Sequence, residues 1–177
     1  MNTPFYYVLQ AALILAVAVA IFVLAKRGRD RKDIHYDEMQ LVIRGTGYRI
    51  GFFVTVIGLF IVSFLFDYSD SLSRLVSPTF CMMAVALAGI VTFTVYCVFK
   101  DAFYSIGQNR KGYIILCILA VISNAVGFSG HVLGGTLFDT GALTFSEGGT
   151  LICAVSFLVI LIALAIKEIM DKKEVAE

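Results

Sequence analysis

Apolar and polar positions in this chain come in long blocks, not in short alternation. Apolar runs cover Phe5–Ala25, Ile50–Phe66, Thr79–Phe99, Tyr113–Leu133 and Thr150–Ile166, and each is free of Asp, Glu, Lys and Arg. A helix needs about 20 apolar residues to cross the hydrocarbon core of a bilayer. Backbone groups find no water there, so only helices and closed barrels can span it. Runs of this length without period-two alternation predict helices. The pattern therefore predicts an all-α integral membrane protein, a five-helix transmembrane bundle forming one domain over residues 1–177.

Composition strengthens this reading. Hydrophobic residues make up 59% of the 177 and charged residues 15%, against roughly 25% charged in a soluble domain. A soluble chain of this length keeps too many residues near its surface to hide so much apolar area. The net charge of +1 offers no basic surface for nucleic acid, but its distribution sets an orientation. The gaps 26–49 and 100–112 and the tail from Lys167 hold 13 of the 14 Lys and Arg residues; the gap 67–78 holds Arg74 alone and 134–149 holds none. Cytoplasmic loops carry the excess of Lys and Arg. This predicts an outside N-terminus, a cytoplasmic loop 26–49, an outer loop 134–149 and a cytoplasmic C-terminus. The first run precedes its charges, Lys26, Arg27 and Arg29, the reverse of a cleaved signal peptide, so it is expected to stay as an anchor.

Asp37-Glu38-Met39-Gln40 is the most structured polar segment. Asp37 is placed to accept from backbone N–H groups at a helix start, with Gln40 reaching back to complete a capping box and Tyr36 and Leu41 at the staple positions. The expected helix runs along or into the membrane surface towards the second span, with a bend at Gly45 and Gly47, each about 1 kcal/mol poorer than Ala in a helix. Asp37, Glu38, Arg44 and Arg49 are the candidate contacts for a partner protein or for lipid headgroups, the two cations being drawn to anionic lipid. The stretch from Tyr36 to Arg49 resembles a segment of small multipass bacterial membrane proteins of unknown function. There a D-E-x-Q box is followed by Arg-Gly, here Arg44-Gly45, and by an aromatic-basic pair, here Tyr48-Arg49, just before a transmembrane helix. Met39 stands where that group has Arg, and Thr46 where it has Lys. The resemblance covers about 14 residues. It implies a bacterial inner-membrane protein and carries no activity.

Three further motifs look like chemistry. Gly127-Phe128-Ser129-Gly130 has the GxSG form of intramembrane serine proteases, which need a histidine beside the hydroxyl. His131 is two residues on, about 200° around a helix, so the two side chains point apart. Close packing through Gly127, Gly130 and Gly134 is the preferred reading. Asp139-Thr140-Gly141 has the form of an aspartic protease loop, which needs a second carboxylate and a β-structure to hold it. A short outer hairpin, with Thr136–Phe138 facing Leu143–Phe145, is expected instead. Asn124 and His131, seven residues apart on one helix, form a possible polar intramembrane face, read as an interhelical hydrogen bond from Asn124 with His131 at the headgroup edge.

Cys81, Cys97, Cys117 and Cys153 lie inside apolar runs without metal-ligand spacing and read as small apolar fillers. The closest helix contacts are expected at Ala12, Ala16 and Ala20, at Ala84 and Ala88, and at the glycines of the fourth span. No cofactor, metal or nucleic acid is expected. The sequence thus reads as a non-enzymatic regulatory or accessory membrane protein. Its partners are the lipid bilayer and another membrane or cytoplasmic protein or a second copy. A component of a small-solute transporter or channel is the alternative.

Overall fold

The computed structural model describes residues 35–106, 110–138 and 141–176, together with the single residue Val19. The first apolar run and the basic stretch 26–34 otherwise lie outside the described residues, as do Ala12, Ala16, Ala20, Asp139 and Thr140. The order is α1 (Glu38–Tyr68), a short α2 (Asp70–Leu75), α3 (Pro78–Phe99), α4 (Arg110–Gly134) and α5 (Phe145–Ala176). Four of these, α1, α3, α4 and α5, are long and apolar enough to cross a membrane. The chain is therefore an all-α multipass membrane protein.

Local sequence accounts for where the helices begin. Asp37 accepts from the Gln40 N–H at 2.6 Å while Gln40 Oε1 accepts from the Asp37 N–H at 3.4 Å, so the capping box forms. Ser69 and Ser77 cap α2 and α3 in the same manner, and Pro78 follows at the first turn of α3, where its missing N–H costs nothing. At α5, Glu147 Oε2 accepts from the Thr144 N–H at 3.1 Å.

α1 runs unbroken through Gly45 and Gly47. Its 31 residues measure about 46 Å at 1.5 Å each, well beyond the roughly 30 Å hydrocarbon core. The stretch before Ile50 is thus a direct extension of the span, as is the end of α5. Tyr36 lies beneath the Arg44 guanidinium, 4.3 Å from ring centroid to Cζ, and Leu41 stays exposed.

The main packings join α1 to α3, α3 to α5, and α5 to α4. Between α1 and α3 the backbones touch. A Cβ built on Gly51 would lie 2.8 Å from the Gly89 carbonyl oxygen, and one on Gly58 would lie 2.6 Å from Val85 Cγ1. Gly47 faces Phe93, Tyr96 and Cys97, and Tyr48 stacks on Phe93 with centroids 4.2 Å apart. The close approach on α3 is thus at Gly89, while Ala84 is half-buried and Ala88 exposed. The core among α3, α4 and α5 is built on Val98, Cys117, Ile160, Ala163 and Leu164. Gly127 is buried, but Gly134 is exposed and among the described residues meets nothing nearer than Thr136 Cγ2 at 3.9 Å. Among the described residues the Gly130–Gly134 pair therefore joins no helices at its Gly134 end. All four cysteines are free.

The outer hairpin is not formed. α5 already starts at Phe145, because Thr144 and Glu147 cap it there. Leu143 pairs with Val76 in a parallel bridge, its N–H on Leu75 O at 2.9 Å and its carbonyl accepting from the Ser77 N–H at 2.9 Å. Before it Phe138 has φ +65, Gly141 has φ +85, and the Gly141 N–H reaches Phe138 O at 2.8 Å. The two polar gaps at this end of the bundle are thus joined to each other.

Candidate functional site

At the opposite end, α1 begins, α3 ends, α4 begins and α5 ends. Arg44, Arg49, Lys100, Arg110, Lys111, Lys167, Lys172 and Lys173 all belong to this end, against Arg74 at the other. The segment from Lys100 to Ile106 organises it. Asp101 adopts φ +56, a left-handed conformation that Asp tolerates better than most residues. That turn lets the Ala102 N–H return to Cys97 O at 2.9 Å and buries Ala102 and Ser105.

A loop that is partly buried must still place its carbonyls somewhere, and α1 takes three of them. Gln40 Nε2 donates to Asp101 O at 2.9 Å and to Tyr104 O at 3.1 Å. Arg44 Nη1 donates to Ala102 O at 3.2 Å and to the Tyr36 hydroxyl at 3.1 Å. The Ile106 N–H closes on His35 O at 2.9 Å. From the other side Lys167 Nζ holds Asp101 Oδ2 and Asp171 Oδ1, both at 2.8 Å. Segments some 60 residues apart in sequence are thereby tied together by bonds with |i−j| of 61 to 66.

These ties enclose a cavity of about 420 Å³. Its floor is Val98, Ile114 and Leu164, continuous with the helix core. One wall carries Arg110 and Lys111 from the start of α4; the facing wall carries Lys167, Glu168 and Asp171 of α5, and the Lys100–Ile106 loop closes the rest. Phe103, Tyr104 and Tyr113 pack edge to face, with centroids 4.8 to 6.1 Å apart. Burial pushes the Tyr104 hydroxyl up to about 12, against the opposing pull of Arg110, so it stays protonated at neutral pH.

Comparison of the chain with protein-family models, curated proteins and solved structures finds no match.

The residues singled out from sequence fall in several places. Asp37 and Arg44 are engaged inside the chain at this site, while Glu38 and Arg49 are exposed beside it. Asn124 Nδ2 donates to Ala120 O of its own helix at 2.8 Å, and among the described residues no bond joins it to another helix. His131 Nδ1 is 3.0 Å from Thr136 Oγ1 at the far end of α4. The two share a helix but not a site. Ser129 Oγ donates to Val126 O at 2.8 Å, so it is not paired with His131. Among the described residues, no group of three or more His, Cys, Asp or Glu is arranged to hold a metal ion. Sequence reading did not single out Asp101, Tyr104, Arg110 or Lys167 as a unit. Their isolated signal was a Lys100-Asp101 step ending an apolar run and a Lys167 beginning a charged one.

The cap itself yields a direct expectation. Asp37→Ala should cost about 0.5–2 kcal/mol of local helix stability, and Asp37→Ser or Asp37→Asn should largely restore it, since each accepts the same backbone bond. Hydrogen exchange across Asp37–Ile43 in membranes measures this. Equal exchange in wild type and Asp37→Ala would remove the cap from the account.

Proposed function

We propose that this chain is a non-enzymatic regulatory or accessory membrane protein acting through its basic end. We further propose that it has five spans, with the N-terminus outside and the C-terminus in the cytoplasm. The observation that carries the reading is the built headpiece. Gln40, Arg44 and Lys167 lock a partly buried loop around a cavity at the end where nearly all Lys and Arg gather. A simple connection between two spans would not need three side chains from two other helices to hold its carbonyls and its carboxylate. The basic excess supports a cytoplasmic position for this end. The first apolar run, Phe5–Ala25, supplies the fifth span in this reading and carries the N-terminus outward. The bacterial inner membrane is the setting suggested by the resemblance of Tyr36–Arg49.

The test has two arms. A reporter active only outside the cytoplasm should be silent when fused after Glu177 and active when inserted at Gly135; the opposite pattern reverses the orientation. A photo-crosslinking residue at exposed Glu38 or Arg49 should capture a defined protein in intact cells, and one at Ser73, at the other end, should not. Equal capture from both ends would sink the regulatory reading.

A further inference from the structure

We propose that the early turns of α1, residues 38–49, lie against the membrane surface, with Leu41, Val42 and Tyr48 set in the interfacial layer of the bilayer. α1 is longer than the hydrocarbon core, so these turns emerge from it at the basic end. Their inner face is already committed. Gln40 and Arg44 bond to the loop 100–106, and Gly47 faces Phe93, Tyr96 and Cys97. The composition of the outer face decides what it touches. It carries Met39 at 70% exposure, Leu41 at 56%, Val42 at 67% and Tyr48 at 58%, with Gly45 exposed and Thr46 half-buried between them. From Met39 to Tyr48 the one charged residue is Arg44, which turns inward to Ala102 O.

A helix turn bathed in water carries polar and charged side chains on its free face. α5 shows that pattern at the same end of the bundle. Beyond Ile166 it exposes Glu168, Lys172 and Lys173 around Ile169 and Met170, and Glu168 bridges to Lys172 at 2.9 Å. The outer face of α1 instead continues the face that its span turns to lipid. At about 100° per residue, Val42, Arg49, Phe53 and Phe60 fall within about 40° of one another around the helix, and all four are exposed. Arg49 fits this placement. Side chains on a helix lean towards its N-terminus, so the guanidinium is carried back to the headgroups, where anionic lipid attracts it. Val42 lies about 10 Å further along the axis, and the interfacial layer is about 5–7 Å thick on each side. Arg49 reaches up from just inside the core, and an over-long helix tilts by about 20–40°. Leu41 and Val42 then fall within the layer, and Met39 reaches its rim. Apolar side chains beside a cation at that depth are the pairing that holds an amphipathic helix at a membrane surface. The inference rests on the chain being membrane-embedded, and on neither its orientation nor its regulatory role.

The chain contains no tryptophan, so a single introduced one reports its own surroundings. The experiment reconstitutes the full chain into vesicles of phosphatidylcholine and phosphatidylglycerol as Val42→Trp. Phe60→Trp serves as the mid-span reference and Lys172→Trp as the water reference. All three sites are exposed, so the new ring displaces no packed neighbour. Iodide is supplied on both sides of the membrane, which makes the readings independent of orientation. Val42→Trp should emit at shorter wavelength than Lys172→Trp and be quenched several-fold less by iodide. Lipids brominated near the headgroup should quench it more than lipids brominated at the chain end, and Phe60→Trp should show the reverse order. If Val42→Trp matches Lys172→Trp in emission and in both kinds of quenching, the face stands in water and the proposal is overturned. Shielding from iodide and from both brominated lipids overturns it as well, because protein then covers the face, be it another part of this chain or a second copy.

Discussion

Gly89→Ala is expected to destabilise the protein by about 1–3 kcal/mol, the range for forcing extra atoms into a packed contact, while Gly45→Ala is expected to stabilise it or leave it unchanged. The two substitutions add the same methyl group to a helix. Helix propensity favours both by up to about 1 kcal/mol, so any difference between them comes from space. At Gly89 the new Cβ meets the Thr55 side chain and lies 2.8 Å from the Gly51 carbonyl oxygen. The threonine hydroxyl is itself committed to Gly51 O at 2.9 Å, and a carbonyl within a helix cannot turn aside without breaking its own hydrogen bond. α1 and α3 must therefore separate over the whole crossing, and the Tyr48–Phe93 stack one turn along is pulled with them. At Gly45 there is nothing within 4 Å among the described residues. Thermal unfolding of both variants in one detergent gives the comparison. Equal melting temperatures would mean that the α1–α3 contact is looser than described.

The second large effect is expected from the smallest change at the site, Gln40→Glu. In a capping box Glu and Gln are equivalent, since either side-chain oxygen accepts from the cap residue's N–H. By that rule alone the substitution is silent. Here the amide nitrogen also donates to Asp101 O and Tyr104 O. Glu replaces that donor with a second oxygen and sets a negative charge against two carbonyls. Asp101 O is exposed and can turn to water, but Tyr104 O is partly buried, and leaving such an acceptor unpaired costs about 1–3 kcal/mol. Exchange of the Ala102 and Ile106 N–H groups should speed up roughly tenfold to a hundredfold on that scale, while the first turn of α1 stays protected. Loss of protection in both places would place the cap, not the loop, at the centre of Gln40's role. Unchanged exchange in both would show that the loop holds itself.

These two residues illustrate what was legible in the sequence. Gln40 was visible as a cap because its partner is three residues away. Its second use was not, because those carbonyls lie 61 and 64 residues further on and belong to a loop whose course depends on a left-handed Asp101. The apolar runs at Ile50–Phe66, Thr79–Phe99, Tyr113–Leu133 and Thr150–Ile166 all became helices, since in lipid no other local structure satisfies the backbone. The helix from Asp37 towards the second span was also legible, from its capping box, but Gly45 and Gly47 were weighed by propensity alone. Packing reversed the meaning of Gly47, which lets Phe93 and Cys97 approach. The spacing Gly47-x-x-x-Gly51 carried that signal and is a small-xxx-small pair. The error in the outer loop had a readable cue as well: Thr144-Phe145-Ser146-Glu147 has the form of a capping box, and a helix beginning there leaves no second strand for a hairpin. Asn124 illustrates the reverse limit. A polar residue in a span can satisfy its amide on its own helix, so its presence does not by itself imply a neighbour.

The bridge between Leu143 and Val76 has a consequence for how the protein tolerates change over time. It is made of main-chain groups, which every residue but proline supplies in full. The basic end, in contrast, is held by an amide, a guanidinium and an ammonium, each specific to its side chain. Substitutions should therefore accumulate freely at Leu75, Val76 and Leu143 so long as none is proline. At Gln40, Arg44, Asp101 and Lys167 they should be accepted only in compensating sets. A collection of divergent relatives aligned on this chain should drift fast at one end of the bundle and slowly at the other.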